Sequence, residues 1–200
     1  MNKTMEFFLK INDLQNTKRY GKYPAYTEST SEHTFKVILI VDYLFRELKL
    51  DLNYGKCIKI AIYHDFSEID LDIDIDAYES SKMESNAKKH MESKKISEIS
   101  KKFYSDIEDI FREYEEKESE ESKFVNACDK LEACIYVLSK NKEIMNYEFF
   151  ATYSDNTILK FPKLLPIYKE VKTLMRKRYQ ELGYDWKSEY DKIFNKGEKL

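Results

Sequence analysis

Apolar residues recur every three or four positions through most of the chain. This is the spacing at which side chains share one face of an α-helix, so the pattern predicts a helical protein. Five of the predicted helices contain none of the candidate metal ligands discussed below. They cover residues 4–15, 80–103, 105–118, 163–182 and 186–195. The apolar stripe over 80–103 is the sparsest, because this stretch is rich in serine, lysine and glutamate.

A loop is predicted over residues 16–30, followed by a helix that carries the first histidine. The segment Ser29-Thr30-Ser31-Glu32 has the Ser-x-x-Glu form of a capping box, which marks the start of a helix. His33 then falls on the apolar stripe of this helix, which ends before Asn53.

Two more predicted helices carry polar residues on apolar faces. The helix over residues 55–68 places His64 and Glu68 four residues apart, which is one turn along the same face. The helix over 121–140 carries Asp129 on a side that is otherwise apolar. Between these helices, residues 69–76 alternate strictly between apolar residues and aspartate, which predicts an extended or loop segment.

The composition agrees with a helical fold. The 200 residues are 42% hydrophobic but include 4 Gly and 3 Pro, too few for a turn-rich sandwich or barrel. We therefore predict an all-α fold with a single domain over residues 1–200. The net charge of -3 gives no broad basic surface, so duplex nucleic acid is not expected as a partner.

The cysteines and the apolar runs bear on the compartment. Cys57, Cys128 and Cys134 are odd in number and lie in apolar helical patterns, so we interpret them as buried free thiols in a reducing compartment. The strongest apolar run, residues 37–41, is far too short to cross a bilayer, and no signal peptide is visible. We expect a cytoplasmic protein that does not contact a membrane.

Four polar residues form the candidate chemical site: His33, His64, Asp65 and Asp129. Taken singly, each has an ordinary explanation. A histidine at a helix start is more often a cap or a core residue, and Asp129 could pair with a nearby lysine. Buried imidazoles and carboxylates need partners, however, and one shared cation would satisfy all four. Two nitrogen and two oxygen ligands suit a divalent ion such as Co, Mn, Zn, Ni or Fe, with Mg also possible.

The order of these residues resembles that of a known family. The sequence His33 … His64-Asp65 … Asp129 follows the His … His-Asp … Asp order of the HD-domain phosphohydrolases, and looks most similar to the small HD-domain 5′-deoxynucleotidases. The family's His-Asp-x-x-Glu is similar to His64-Asp65-Phe66-Ser67-Glu68. Its late Asp-Lys/Arg-Leu is similar to Asp129-Lys130-Leu131. The resemblance covers roughly residues 5–140, and the helices over 141–200 are expected to pack on that part.

The resemblance implies a helical bundle with one divalent metal ion at its centre. His33, His64, Asp65 and Asp129 would be the metal ligands, and Glu68 the acid/base or water-orienting residue. The pair Arg19-Tyr20 stands where the family has Arg-Trp, so Arg19 would bind the substrate phosphate. Tyr20 would form the wall beside the sugar, where the family's Trp favours deoxyribose.

The chain departs from the family pattern at two points. Tyr20 replaces the Trp, which puts the sugar and base preferences in doubt. The family also has Gly-Asp a few residues after the Glu, and that Asp works near the scissile phosphate. No Gly occurs here, and the candidates are Asp72 and Asp74, the nearest by count, with Asp70 and Asp76 beside them. The sequence does not choose between them.

The leading hypothesis is a metal-dependent phosphohydrolase that removes the 5′-phosphate of deoxynucleoside monophosphates. One alternative is a deoxynucleoside triphosphate triphosphohydrolase, if Lys82, Lys88 and Lys89 approach extra phosphates. An alternative of another class is a non-catalytic nucleotide-binding sensor. The apolar C-terminal helices could form a homodimer face. His90 lies in a lysine-rich stretch and is expected to be exposed or peripheral.

Overall fold

The computed structural model describes residues 2–20, 23, 25–69, 85–103, 106–140 and 143–195. In this part of the chain the regular structure is helical and no β-strand occurs, which confirms the all-α prediction. The α-helices are α1 (Lys3–Ile11), α2 (Thr30–Glu47), α3 (Tyr54–Tyr63), α4 (Ser85–Lys102), α5 (Ile107–Glu116), α6 (Glu120–Ser139), α7 (Tyr147–Phe150), α8 (Asp155–Leu159) and α9 (Leu165–Glu181). Short 3₁₀-helices cover Asn12–Gln15, Phe66–Glu68, Pro162–Leu164 and Ser188–Asp191.

The chain divides into two compact units, Met1–Val125 and Asn126–Leu200. The single domain over residues 1–200 therefore stays a prediction. No helix among the described residues is long and apolar enough to span a membrane.

Helix α2 begins where the capping box predicts. The Ser29 side chain accepts a hydrogen bond from the Glu32 backbone N–H, and the Glu32 carboxylate accepts one from the Ser29 backbone N–H. These two bonds satisfy N–H groups that a helix start leaves without partners. Helix α2 packs against α3, burying Val37 and Val41 on its own side and Ile60 on the other. This pairing places His33 near the C-terminal end of α3.

A second apolar cluster holds the segment that follows α3. Its buried members are Phe66, Ile69, Ile96, Ile99, Ile107 and Phe111. Phe66 is the first residue of a 3₁₀-helix, and its ring lies 6.2 Å from that of Phe7 in α1. Because Phe66 is anchored in this cluster, the backbone of its neighbour Asp65 is held as well.

The second unit has a buried charge of its own. Lys172 of α9 is fully buried, and its ammonium group donates to the carbonyl of Ala151 and lies 3.2 Å from the Asp155 carboxylate. The Tyr168 hydroxyl donates to the same carboxylate at 2.8 Å. These bonds tie α9 to α8, since a buried ammonium is stable only when it is paired.

Three predicted helices differ from the structure. The helix predicted over 4–15 is α-helical as far as Ile11 and continues as the 3₁₀-helix Asn12–Gln15. Helix α3 ends at Tyr63 rather than continuing to residue 68, because Asp65 has φ -107° and ψ 17°, outside the α-helical range. The helix predicted over 186–195 is a single 3₁₀ turn, Ser188–Asp191. Here the indole N–H of Trp186 donates to Asp191 at 2.8 Å, and its ring packs edge-on to Tyr179. The apolar spacing of this segment therefore reflects aromatic packing rather than an α-helix.

Candidate active site

Two buried histidines reach the site from different helices. His33 lies one turn into α2, where its backbone N–H donates to the Ser29 carbonyl at 3.0 Å. His64 is the C-cap residue of α3, and Asp65 follows it. The side chains of both histidines are 0% exposed, and that of Asp65 is 16% exposed. The two histidines therefore lie at the ends of helices, whereas Asp65 lies in the turn that follows α3.

Three ligand-type atoms of these residues converge. His33 Nε2 lies 3.3 Å from His64 Nε2, and Asp65 Oδ2 lies 3.5 Å from the first and 3.3 Å from the second. His64 Nδ1 lies 2.9 Å from the carbonyl oxygen of Ala61. A carbonyl only accepts, so Nδ1 carries the proton and the lone pair of a neutral His64 is on Nε2.

This geometry fits a divalent cation. The lone pair on His64 Nε2 lies close to His33 Nε2 and to Asp65 Oδ2. Together these three buried atoms produce a region of negative electrostatic potential. A cation among them would offset that potential, and a backbone carbonyl behind the ring is the usual support of a metal-binding histidine. The donor set of imidazole nitrogen and carboxylate oxygen suits Mn, Co, Ni, Zn or Fe.

Arg19 lies directly against this group. Its guanidinium donates to Asp65 Oδ2 at 2.6 Å, and its side chain is 11% exposed. Burial acts to raise the pKa of Asp65, but the electrostatic and hydrogen-bond interactions with its neighbours His64 and Arg19 outweigh it and hold the pKa below its ordinary value. Asp65 is therefore a carboxylate, the form that a metal or a guanidinium binds.

Glu68 is buried and has a defined partner. Its carboxylate Oε2 accepts a hydrogen bond of 2.6 Å from the Thr30 hydroxyl, and its backbone carbonyl accepts one of 3.1 Å from Thr17. The sequence placed Glu68 on the helical face of His64, and this was wrong. The 3₁₀-helix Phe66–Glu68, rather than the end of α3, presents the carboxylate.

Glu28 is a buried residue of this region that the sequence analysis did not single out. It is 3% exposed and forms an ion pair with Lys36. Its Oε2 lies 3.6 Å from Arg19 Nε and 4.0 Å from His33 Nδ1. The signal in the sequence is a glutamate five residues before His33, just ahead of the capping box, and that spacing alone does not reveal burial.

Tyr20 and Asp129 are the remaining predicted site residues that the structure describes. Tyr20 is half-buried, with its ring 5.5 Å from that of Tyr26. Asp129 is buried on α6, in the second unit, where Lys130 donates to its Oδ2 at 2.9 Å. A lysine partner was the alternative explanation of Asp129, so its role as a metal ligand stays a prediction.

Several predictions concern residues that the structure does not describe. Asp70, Asp72, Asp74, Asp76 and Lys82 lie outside the described residues, as do the side chains of Lys88 and Lys89. His90 is exposed, as predicted. The three cysteines are buried free thiols, also as predicted.

Comparison with known proteins agrees with the fold. The HD domain family matches residues 11–163, a span that contains every predicted site residue. The chain belongs to the HD-domain family and is an HD-domain phosphohydrolase, which confirms the resemblance seen in the sequence. HD domains bind divalent metal ions, and the cluster of His33, His64 and Asp65 has the chemistry for one.

One curated protein and two solved structures are similar to this chain over most of its length. The mouse (Mus musculus) protein 5′-deoxynucleotidase HDDC2 is 27% identical over 183 residues, covering 84% of this chain and 86% of that protein. The crystal structure of the PH0347 protein of Pyrococcus horikoshii OT3 has a TM-score of 0.67 at 26% identity, covering 85% of this chain and 99% of that one. An HD-domain phosphohydrolase of Listeria innocua shares the fold, with a TM-score of 0.59 at 16% identity over 88% of this chain and 84% of that one.

Proposed function

We propose that this protein is a metal-dependent 5′-nucleotidase that removes the phosphate of deoxynucleoside monophosphates. The observation that carries the proposal is the convergence of His33 Nε2, His64 Nε2 and Asp65 Oδ2 within 3.5 Å of one another, with the Arg19 guanidinium at 2.6 Å from that carboxylate. The 27% identity to a mouse 5′-deoxynucleotidase supports the substrate class.

Each residue has a chemical task in the proposal. Arg19 binds the phosphate, because a guanidinium presents paired N–H donors that match phosphate oxygens. His33, His64 and Asp65 hold the cation, with Asp129 as the further ligand suggested by the order of the sequence. A bound divalent cation supplies Lewis acidity at the phosphoryl group and makes water a better nucleophile. Tyr20 faces the sugar.

Glu68 acts as the general acid–base residue that transfers protons during the reaction. In the reaction, a water oxygen forms a bond to phosphorus while the bond between phosphorus and the sugar 5′-oxygen breaks. One proton must leave the water and one must reach the 5′-oxygen, so the products are a nucleoside and inorganic phosphate. A carboxylate that is buried and fixed in one rotamer suits this transfer, and Glu68 is 5% exposed and held by Thr30. Asp72 and Asp74 remain candidates for a second carboxylate near the leaving group.

The test is phosphate release from the four deoxynucleoside monophosphates by purified protein with Mn²⁺ or Co²⁺. We expect release that EDTA abolishes and excess metal restores, and that Glu68→Gln lowers by at least 100-fold. Ribonucleoside monophosphates, run in parallel, measure the sugar preference that Tyr20 sets. Absence of phosphate release from folded, metal-loaded protein would refute the proposal.

Product analysis distinguishes the proposed nucleotidase from a triphosphohydrolase and from a non-catalytic sensor. Deoxynucleoside triphosphates are incubated under the same conditions, and release of intact triphosphate would identify a triphosphohydrolase instead. Tight nucleotide binding without any turnover would identify a sensor.

A further inference from the structure

We infer that Glu28 is a positioning residue that sets both the phosphate-binding Arg19 and the metal-binding His33, an inference that rests on the proposed function for its account of KM. Glu28 precedes the N-cap residue of α2, and its side chain is 1% exposed. Glu28 lies next to both Arg19 and His33, so its role extends beyond the ion pair with Lys36.

The backbone joins Arg19 to Glu28 first. The Arg19 N–H donates to the Glu28 carbonyl at 3.1 Å, and the Thr30 N–H donates to the Thr17 carbonyl at 3.0 Å. An antiparallel bridge between Lys18 and Ser29 lies between these two bonds. The loop that carries Arg19 is therefore laid against the start of α2, and Arg19 is directly tied to Glu28.

The side chains add a second link. Glu28 Oε2 lies 3.6 Å from Arg19 Nε, on one edge of the guanidinium, while Arg19 Nη1 donates to Asp65 at 2.6 Å. Two carboxylates on different parts of the guanidinium restrict its plane. Because bidentate binding of a phosphate depends on the orientation of that plane, Glu28 and Asp65 together determine where the phosphate sits.

Glu28 also faces the rear of His33. Its Oε2 lies 4.0 Å from His33 Nδ1, on the opposite side of the ring from the Nε2 that faces His64 and Asp65. A negative charge behind Nδ1 favours the tautomer with its proton there, which leaves the Nε2 lone pair directed at the cation. Carboxylates behind metal-binding histidines act in this way, and their loss weakens metal affinity by about 10- to 100-fold.

Lys36 completes the arrangement from the solvent side. It forms an ion pair with Glu28 Oε1, and its side chain is 38% exposed. Lys36 lies outside the group formed by Arg19, His33 and Asp65, so it offsets the burial of the Glu28 charge and leaves Oε2 directed at the two functional residues.

The experiment compares metal affinity and kinetics in Glu28→Gln and in the wild type. Mn²⁺ affinity is measured by the electron paramagnetic resonance signal of the unbound ion, and KM and kcat with a deoxynucleoside monophosphate. We expect the Kd for Mn²⁺ to rise about 10-fold or more, and KM to rise more than kcat falls. The matched control is Glu32→Gln, since glutamine also serves in a capping box, and its Kd should stay within twofold of wild type.

A double-mutant cycle separates positioning from general stability. If Glu28 acts on KM through Arg19, then Glu28→Gln should add little to the KM of Arg19→Gln. Independent, additive effects would overturn that link. Unchanged Kd and KM in folded Glu28→Gln, with only a lower Tm, would overturn the inference as a whole.

Two further measurements distinguish failure of this inference from misfolding and from failure of the proposed function. If Glu28→Gln does not fold, Glu28→Asp keeps the charge but withdraws it by one methylene, and wild-type Kd and KM in that variant would contradict positioning. The Mn²⁺ measurement does not require turnover. A wild type that binds Mn²⁺ and releases no phosphate would refute the proposed function, while the comparison of Kd values still tests the role of Glu28 at His33.

Discussion

The hydroxyl of Thr30 fixes the carboxylate of Glu68. The two groups form a 2.6 Å hydrogen bond, and both residues are buried. Thr30 also donates its backbone N–H to Thr17, whose hydroxyl donates to the Glu68 carbonyl. Glu68 is thus held at its carboxylate and at its backbone by two threonines, which orients it without placing it on a long helix.

Replacing Thr30 with valine tests this orientation. Thr30→Val keeps the shape but leaves the buried carboxylate without the hydroxyl donor, which should cost about 1–3 kcal/mol of unfolding free energy. We expect kcat to fall roughly tenfold, because general acid–base catalysis depends on positioned groups. Urea unfolding and steady-state kinetics measure the two effects. Thr30→Ser restores the hydroxyl, and a kcat as low as that of the valine variant would argue against the hydrogen bond.

The sequence identified the ligand-type residues but not their supports. His33, His64 and Asp65 were recognisable because their order matches a family pattern. Thr30 and Glu28 were not, since a threonine in the first turn and a glutamate before an N-cap are ordinary surface residues by type. Their burial depends on the pairing of residues 17–19 with residues 28–30 at the start of α2, and that pairing consists of backbone bonds that no local pattern predicts.

Among the elements, the start of α2 was predicted and the end of α3 was not. A capping box is a local signal, because its hydrogen bonds join residues three positions apart. The exit from α3 depends on non-local contacts: Phe66 packs against Phe7 and Tyr63, and Asp65 pairs with Arg19. The helical i, i+3, i+4 spacing continued through His64 and Glu68, so periodicity alone extended the predicted helix too far.

The capping box of α2 makes a measurable contribution. Ser29→Ala removes the acceptor for the Glu32 N–H and the hydroxyl that donates to the Glu32 carboxylate at 2.8 Å. We expect a loss of about 1 kcal/mol of unfolding free energy, measured in urea. Glu32→Gln retains a capping side chain and should lose less than half of this. Equal losses in the two variants would mean that charge, rather than capping, stabilises the helix start.

At the scale of the whole molecule, buried acids determine how stability responds to alkaline pH. Burial raises the pKa of the Cys57 thiol to about 12 and that of Cys134 to about 11, from 9.0. Burial also raises the pKa of the hydroxyls of Tyr168 and Tyr179 above their ordinary value. Above pH 9 the unfolded chain loses these protons first, so the folded state binds more protons and its stability must fall as pH rises.

We expect the unfolding free energy to decrease from pH 9 toward pH 11, by up to about 1.4 kcal/mol per pH unit for each fully titrating group. Burial lowers the pKa of Lys172, which acts in the opposite direction, but one lysine is outweighed by two thiols and two phenols. Urea unfolding at pH 8, 9, 10 and 10.5 gives the slope. Cys134→Ala removes one titrating group and should flatten it, whereas an unchanged slope would exclude that thiol as a source.

Metal binding should add stability, and it also tests Asp129. A ligand that binds only the folded state, present at 100 times its Kd, adds about 2.7 kcal/mol to the unfolding free energy. We expect Mn²⁺ to produce such an increment in the wild type and EDTA to remove it. Asp129→Asn should lower stability even without metal, because Lys130 loses its carboxylate partner.

The informative quantity is therefore the metal-dependent increment rather than the baseline. If Asp129 is a ligand, Asp129→Asn should lose most of the increment, as His64→Ala should. Glu120→Gln is the matched control, because Glu120 is an exposed carboxylate on the same helix that pairs only locally with Lys123. An increment in Asp129→Asn equal to that of the control would mean that the buried aspartate serves Lys130 alone, and that the cation is held by His33, His64 and Asp65.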